Sequence, residues 1–129
     1  MIGIDTNLLV RLLTNDDKKQ AKYAADLIHK HPIFIPKSVL LETEWVLRYT
    51  YDLSPETIHK AFVNLLGLAH VSVEDPVCIS QVLEWYTHGF DFADALHLAS
   101  SNKTDSFATL DKDFIKKAKK FNIKMTTID

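Results

Sequence analysis

The stretch Ile2-Gly3-Ile4-Asp5-Thr6-Asn7 decides how the rest of the chain reads. A short apolar run that ends in an acid, a hydroxyl and an amide reads as a buried strand delivering polar groups to the carboxyl edge of a sheet. That rim is where open α/β folds bind their ligands. The competing role for Asp5 is to cap the helix that follows, since Asp accepts backbone N–H bonds at helix starts. The two roles are compatible, because a carboxylate has two oxygens.

Further along, short apolar runs alternate with longer amphipathic ones. Ile33-Phe34-Ile35, His70-Val71-Ser72-Val73, Ser106-Phe107-Ala108-Thr109 and Met125-Thr126-Thr127-Ile128 read as strands two to five. Helical spacing is expected over Leu8 to Leu13, Asp16 to His29, Ser38 (as N-cap) to about Tyr49, from Ser54-Pro55, from Pro76 to about Tyr86, from Asp91 to about Ser101, and over Lys112 to Lys120. Ser before Pro fits the N-cap and first-turn preferences. The alternation predicts an α/β sandwich with a central, mainly parallel sheet of about five strands. With 129 residues and no Gly/Ser/Pro-rich linker or repeat, a single domain over 1–129 is expected.

Three further acids stand at comparable places. Glu42 follows Val39-Leu40-Leu41 behind strand two. Asp94 lies among Phe92, Ala93, Ala95 and Leu96, three residues after Asp91. Asp111 follows Phe107-Ala108-Thr109-Leu110, with Asp113 two residues on. Glu42 on or near an apolar stripe needs a partner, either a cation or an ion-pairing base. Glu44 is expected to face solvent. Asp91 and Asp94 are both explicable as helix-start residues, but the small apolar neighbours of Asp94 point it inward. His97 reads more readily as a hydrogen-bonded core histidine than as a cleft residue. Asp111 is preferred over Asp113 as the inward acid because it is nearer the strand end, leaving Asp113 to serve the next helix. Acids converging on one cleft repel unless a hard cation holds them, which points to Mg²⁺ or Mn²⁺ and phosphate chemistry.

Other classes are disfavoured. Three glycines leave no room for a Gly-rich phosphate loop. The single cysteine, Cys78, permits no internal disulfide and reads as a small buried apolar residue. No apolar run approaches the roughly 18 residues a membrane span needs, and no basic-then-apolar leader opens the chain, so a cytoplasmic protein is expected. The formal charge of −2 is no mark of a nucleic-acid binder, but Lys112, Lys116, Lys117, Lys119, Lys120 and Lys124 cluster near the end, and Lys18, Lys19 and Lys22 form a smaller group. Such a run is either a solvated helix face or a phosphate-steering surface. Trp45 and Trp85, on predicted helices, are read as core or dimer-packing residues.

Taken as an ordered set, Asp5-Thr6-Asn7, Glu42, Phe92-Ala93-Asp94-Ala95-Leu96-His97-Leu98-Ala99 and Thr109-Leu110-Asp111-Lys112-Asp113-Phe114 resemble the PIN-domain nucleases, and within them the VapC-type toxins of toxin–antitoxin pairs. The resemblance spans the whole chain. It implies a three-layer α/β/α fold with Asp5, Glu42, Asp94 and Asp111 around one or two divalent ions, Asp5, Asp94 and Asp111 being the metal ligands. Thr6, Asn7, Asp91, Thr109 and Asp113 are supporting polar candidates. It further implies a Mg²⁺- or Mn²⁺-dependent endoribonuclease, an RNA substrate, a cognate antitoxin partner and a homodimer. The alternatives are a non-catalytic interaction module on the same fold, a metal-dependent phosphohydrolase or a DNA nuclease. Against a phosphatase with an Asp-x-Asp strand end, Asn7 stands where the second acid belongs.

Overall fold

A computed structural model describes residues 1–126. In chain order the elements are β1 (Ile2–Gly3), α1 (Thr6–Thr14), α2 (Lys18–Lys30), β2 (Ile33–Ile35), α3 (Lys37–Tyr49), α4 (Pro55–Leu66), β3 (Val71–Val73), α5 (Pro76–Thr87), α6 (Phe92–Ser100) and α7 (Lys112–Lys120). The strands pair in the order β1-β2-β3, both pairs parallel, with Ile2 opposite Ile33 and Ile33 opposite Val71. Parallel neighbours need crossovers, which the helices supply, so every strand ends at the same rim.

Most helix starts have a local cause. Asp17 accepts from the Gln20 N–H, Ser54 from Thr57 ahead of Pro55, and Asp75 from Cys78 ahead of Pro76. Helix α3 differs from expectation: it begins at Lys37 after Pro36, without a side-chain cap, and Ser38 lies inside its first turn. The core gathers Ile33 and Ile35 of β2, Leu40 and Leu47 of α3, Ile58 and Phe62 of α4, Ile79 and Val82 of α5, and Phe92 and Ala95 of α6. Edge-to-face rings tie Phe92 to Phe62 (centroids 5.8 Å apart) and to Tyr86 (5.3 Å). Cys78 is buried as expected.

The sheet has three strands among the described residues, against about five expected. The segment read as strand four makes a single parallel bridge, Phe107 to Met125. Phe107 is the one large side chain in Ser106-Phe107-Ala108-Thr109, and its ring stacks on Phe114 of α7, centroids 5.3 Å apart, rather than seeding a longer ladder. Of the segment read as strand five, Thr127 and Ile128 lie outside the described residues. No helix among the described residues is long and apolar enough to cross a membrane.

Candidate active site

Asp5 stands two residues past β1. Ile4 is buried and its N–H bonds the Phe34 carbonyl (3.3 Å), which extends the pairing to the rim and fixes where Asp5 emerges. Asp5 caps α1, one oxygen accepting from the Leu8 N–H at 3.0 Å. Its other oxygen makes no hydrogen bond among the described residues. Across the rim, Glu42 in the second turn of α3 accepts from the Thr6 hydroxyl at 2.9 Å. This bond joins residues 36 apart in sequence and ties the start of α1, which Asp5 caps, to the early turns of α3. Asn7 is exposed in the first turn of α1.

The other acids group around the start of α6. Asp91 caps α6 by accepting from the Asp94 N–H at 3.2 Å. Asp94 is half-buried and its carboxylate makes no hydrogen bond among the described residues. Its pKa is raised, first by burial, then by the negative charges of Asp91 and Asp111, while His97 and Lys117 act in the opposite sense. Asp111 is therefore close enough to be felt by Asp94. Asp111 caps α7, one oxygen accepting from the Asp113 N–H (3.0 Å) and the Phe114 N–H (3.2 Å), while its own N–H bonds the Thr109 hydroxyl (3.1 Å). So Asp111, not Asp113, serves the next helix; Asp113 is an exposed first-turn residue.

The sequence suggested four acids round a common ion. Hydrogen bonds link Thr6 to Glu42 and Asp91 to Asp94, and Asp94 lies in the field of Asp91 and Asp111; among the described residues no hydrogen bond joins Asp5 or Glu42 to those three acids. Among the described residues no three His, Cys, Asp or Glu side chains stand close enough to hold one ion. Three of the acids are engaged locally, Asp5 and Asp111 as helix caps and Glu42 by the Thr6 hydroxyl, each through one oxygen. The donor set still fits a hard divalent ion. It offers oxygens alone, and Mg²⁺ takes only one or two direct carboxylates beside waters and phosphate. An unpartnered Asp94 carboxylate in the field of two other acids fits the same demand.

Two more expectations fail, for Glu44 and His97. Glu44, expected in solvent, is 1% exposed. Its carboxylate accepts from the Tyr86 hydroxyl (2.9 Å) and lies 3.0 Å from Arg48 Nε. Burial pushes its pKa up, against the pull of Tyr86 and Arg48. The missed signal was the row Leu40, Glu44, Leu47, one buried face at helical spacing, with Arg48 one turn beyond Glu44. His97 is exposed rather than in the core, because it falls on the side of α6 opposite Ala95, Leu98 and Ala99. Of the two tryptophans expected in core or dimer packing, Trp85 packs against Phe90 beside the core, whereas Trp45 is 57% exposed and pairs with Tyr49 at 5.2 Å, outside the core.

A cavity of about 900 Å³ lies elsewhere, between α5 and the segments around 101–107 and 123–124. None of the acids above lines it.

A family model described as PIN domain matches residues 2–120. No curated protein sequence matches the chain. Among solved structures, one similar chain is the Mycobacterium tuberculosis VapC20 toxin, described as cleaving the sarcin-ricin loop. It is 23% identical, with a TM-score of 0.45, over 90% of this chain and 94% of that one.

Proposed function

This chain belongs to the PIN-domain family, and on that premise we propose that it is a metal-dependent endoribonuclease, the toxin of a toxin–antitoxin pair. The observation that carries the reading is Asp94: a half-buried carboxylate without a hydrogen-bond partner, held beside Asp91 and Asp111. A structural acid would be paired; an acid kept unpaired among others is suited to a cation.

Asp5 and Asp94 are assigned as direct ligands of Mg²⁺ or Mn²⁺, with Asp111 and Glu42 acting through water or on a second ion. Such an ion, when bound, supplies Lewis acidity toward a phosphate oxygen and toward an attacking water. The chain's residues prepare that site. Capping holds one oxygen of Asp5 and of Asp111 and leaves the other for a ligand. Thr6 fixes Glu42 through one oxygen in the same way. The lysines of α7 attract the RNA backbone toward the rim. A homodimer and an antitoxin partner belong to the same reading, with the exposed Trp45–Tyr49 pair on α3 as one surface for either contact. A cytoplasmic location follows from an RNA target.

The test is cleavage of single-stranded and structured RNA with Mg²⁺, Mn²⁺ or a chelator, followed by end-group analysis. A 5′-phosphate and a 3′-hydroxyl, made only with metal, are expected. A cyclic phosphate, or cleavage in the chelator, would refute the mechanism. Every RNA and DNA left intact would favour an interaction module, and cleavage of DNA alone would replace the substrate.

A further inference from the structure

We propose that Arg48 is a positioning residue, a clamp that joins buried Glu44 to the helix cap Asp91 and thereby sets the first turn of α6, which carries Asp94. The inference rests on the assignment of Asp94 as a metal ligand and extends it to Glu44, Arg48 and Tyr86, which have no place in that assignment.

The geometry is continuous. Arg48 Nη2 lies 3.2 Å from Asp91 Oδ1 and 3.3 Å from Glu44 Oε1. The other oxygen of Asp91 accepts from the Asp94 N–H. Asp91 thus has both oxygens engaged, unlike Asp5 and Asp111, so it is a support and not a ligand. Glu44 is anchored from behind by the Tyr86 hydroxyl of α5. The guanidinium also lies over the Tyr49 ring, 4.6 Å from its centroid, which limits its sideways freedom. Three helices, α3, α5 and α6, meet in this one set of contacts, and 43 residues separate Arg48 from Asp91. A planar guanidinium can span two carboxylates in one orientation, which a lysine ammonium on its flexible stem cannot reproduce. Side chains that hydrogen-bond a metal's ligands from outside typically change metal affinity by about 10–100-fold when removed, and Arg48 acts one step further out, through Asp91, so the lower end applies.

Two readouts on the full chain, without RNA, test the clamp in Arg48→Gln and in the milder Tyr86→Phe. The first is hydrogen exchange at the Asp94 and Ala95 amides, compared with amides of α2. The clamp predicts faster exchange at the start of α6 with α2 little changed; an equal rise in both helices, or none in either, overturns it. The second is Mn²⁺ affinity by calorimetry. Arg48→Gln should weaken it by about tenfold, and adding Arg48→Gln to Asp91→Asn should weaken it little further, because the arginine acts through Asp91. Wild-type affinity in a folded Arg48→Gln protein overturns the proposal, as does an undiminished effect in the Asp91→Asn background. If Arg48→Gln does not fold, Tyr86→Phe must still show the local exchange change, and its absence there is equally decisive. A wild-type protein that binds no Mn²⁺ sinks the nuclease reading instead, and the exchange measurement still decides whether the clamp exists.

Discussion

Asp94 and Asp16 show how differently two carboxylates of one chain can be treated. Asp94 is held where its negative charge is disfavoured, by burial first and by Asp91 and Asp111 next. Replacing it with Asn removes that repulsion at little change in shape. Asp94→Asn should therefore abolish RNA cleavage yet leave the metal-free melting temperature unchanged or higher; a fall of several degrees would make Asp94 a structural residue. Asp16 has the opposite surroundings. The Tyr51 hydroxyl, and then Thr14 and Arg11, hold its pKa below the ordinary aspartate value. A carboxylate with a lowered folded pKa stabilises the protein above its unfolded pKa of about 3.9. That contribution disappears as pH falls through the lower, folded value. Asp16→Asn should thus melt below wild type at pH 7, and the gap should close on acidification past the ordinary aspartate range. Melting curves across that range check it; a gap independent of pH would mean the loss is one of hydrogen bonding alone. The two acids also differ in legibility. Asp94 stood out in the sequence because its neighbours are apolar. Nothing local marked Asp16, whose partner Tyr51 is 35 residues away.

Elements with a local cause were the easier ones to read. Ser54, Asp91 and the strand end at Ile35 are marked by capping chemistry and period, and the structure has them where expected, while β1 stops one residue short of Ile4. The segment 106–109 is less legible, because four mixed residues with one aromatic carry no ladder of their own, and whether they pair depends on distant neighbours. The burial of Glu44 is hard to read from sequence for a related reason. Its exposure is set by Tyr86 and Arg48 closing over it, which is a tertiary fact, although its spacing from Leu40 and Leu47 was available. Helix α6 is where this matters most, since it bears Asp94 on one side and Phe92, Ala95, Leu98 and Ala99 in the core on the other. Phe92 is fully buried between Phe62 and Tyr86. Truncating it should leave a cavity that the rings cannot close, at a cost of about 3–5 kcal/mol. Denaturant unfolding of Phe92→Ala measures this. A cost below about 1 kcal/mol would mean the site collapses, and that α6 is held chiefly by its polar clamp.

For the whole molecule the question is how a chain with formal charge −2 would attract RNA. The answer lies in where the charges sit. Phe114 and Ala118 turn one face of α7 into the core, which leaves Lys112, Lys116, Lys119 and Lys120 together on the outer face. Lys117 is set apart, its ammonium bonded to the Gly89 carbonyl at 2.8 Å, where a backbone φ of 92° forms the turn before Phe90. The helix that carries this stripe begins at Asp111, so basic surface and acidic rim are joined by one element. A stripe of this kind acts at long range on a polyanion and is screened by salt over about 10 Å at 0.1 M. The double reversal Lys116→Glu with Lys120→Glu touches no core residue and should leave the melting temperature nearly unchanged. RNA binding by the Asp94→Asn protein, in which cleavage is expected to be lost, should weaken in that background. Its dependence on salt should also flatten, by close to one unit of log–log slope for each phosphate that a lysine no longer neutralises. Neutral changes at Lys18 and Lys22, on α2 and remote from Asp111 in the chain, serve as the control. If the reversal leaves both affinity and slope intact, the lysines of α7 are only a solvated face, and RNA must reach the acids across another surface.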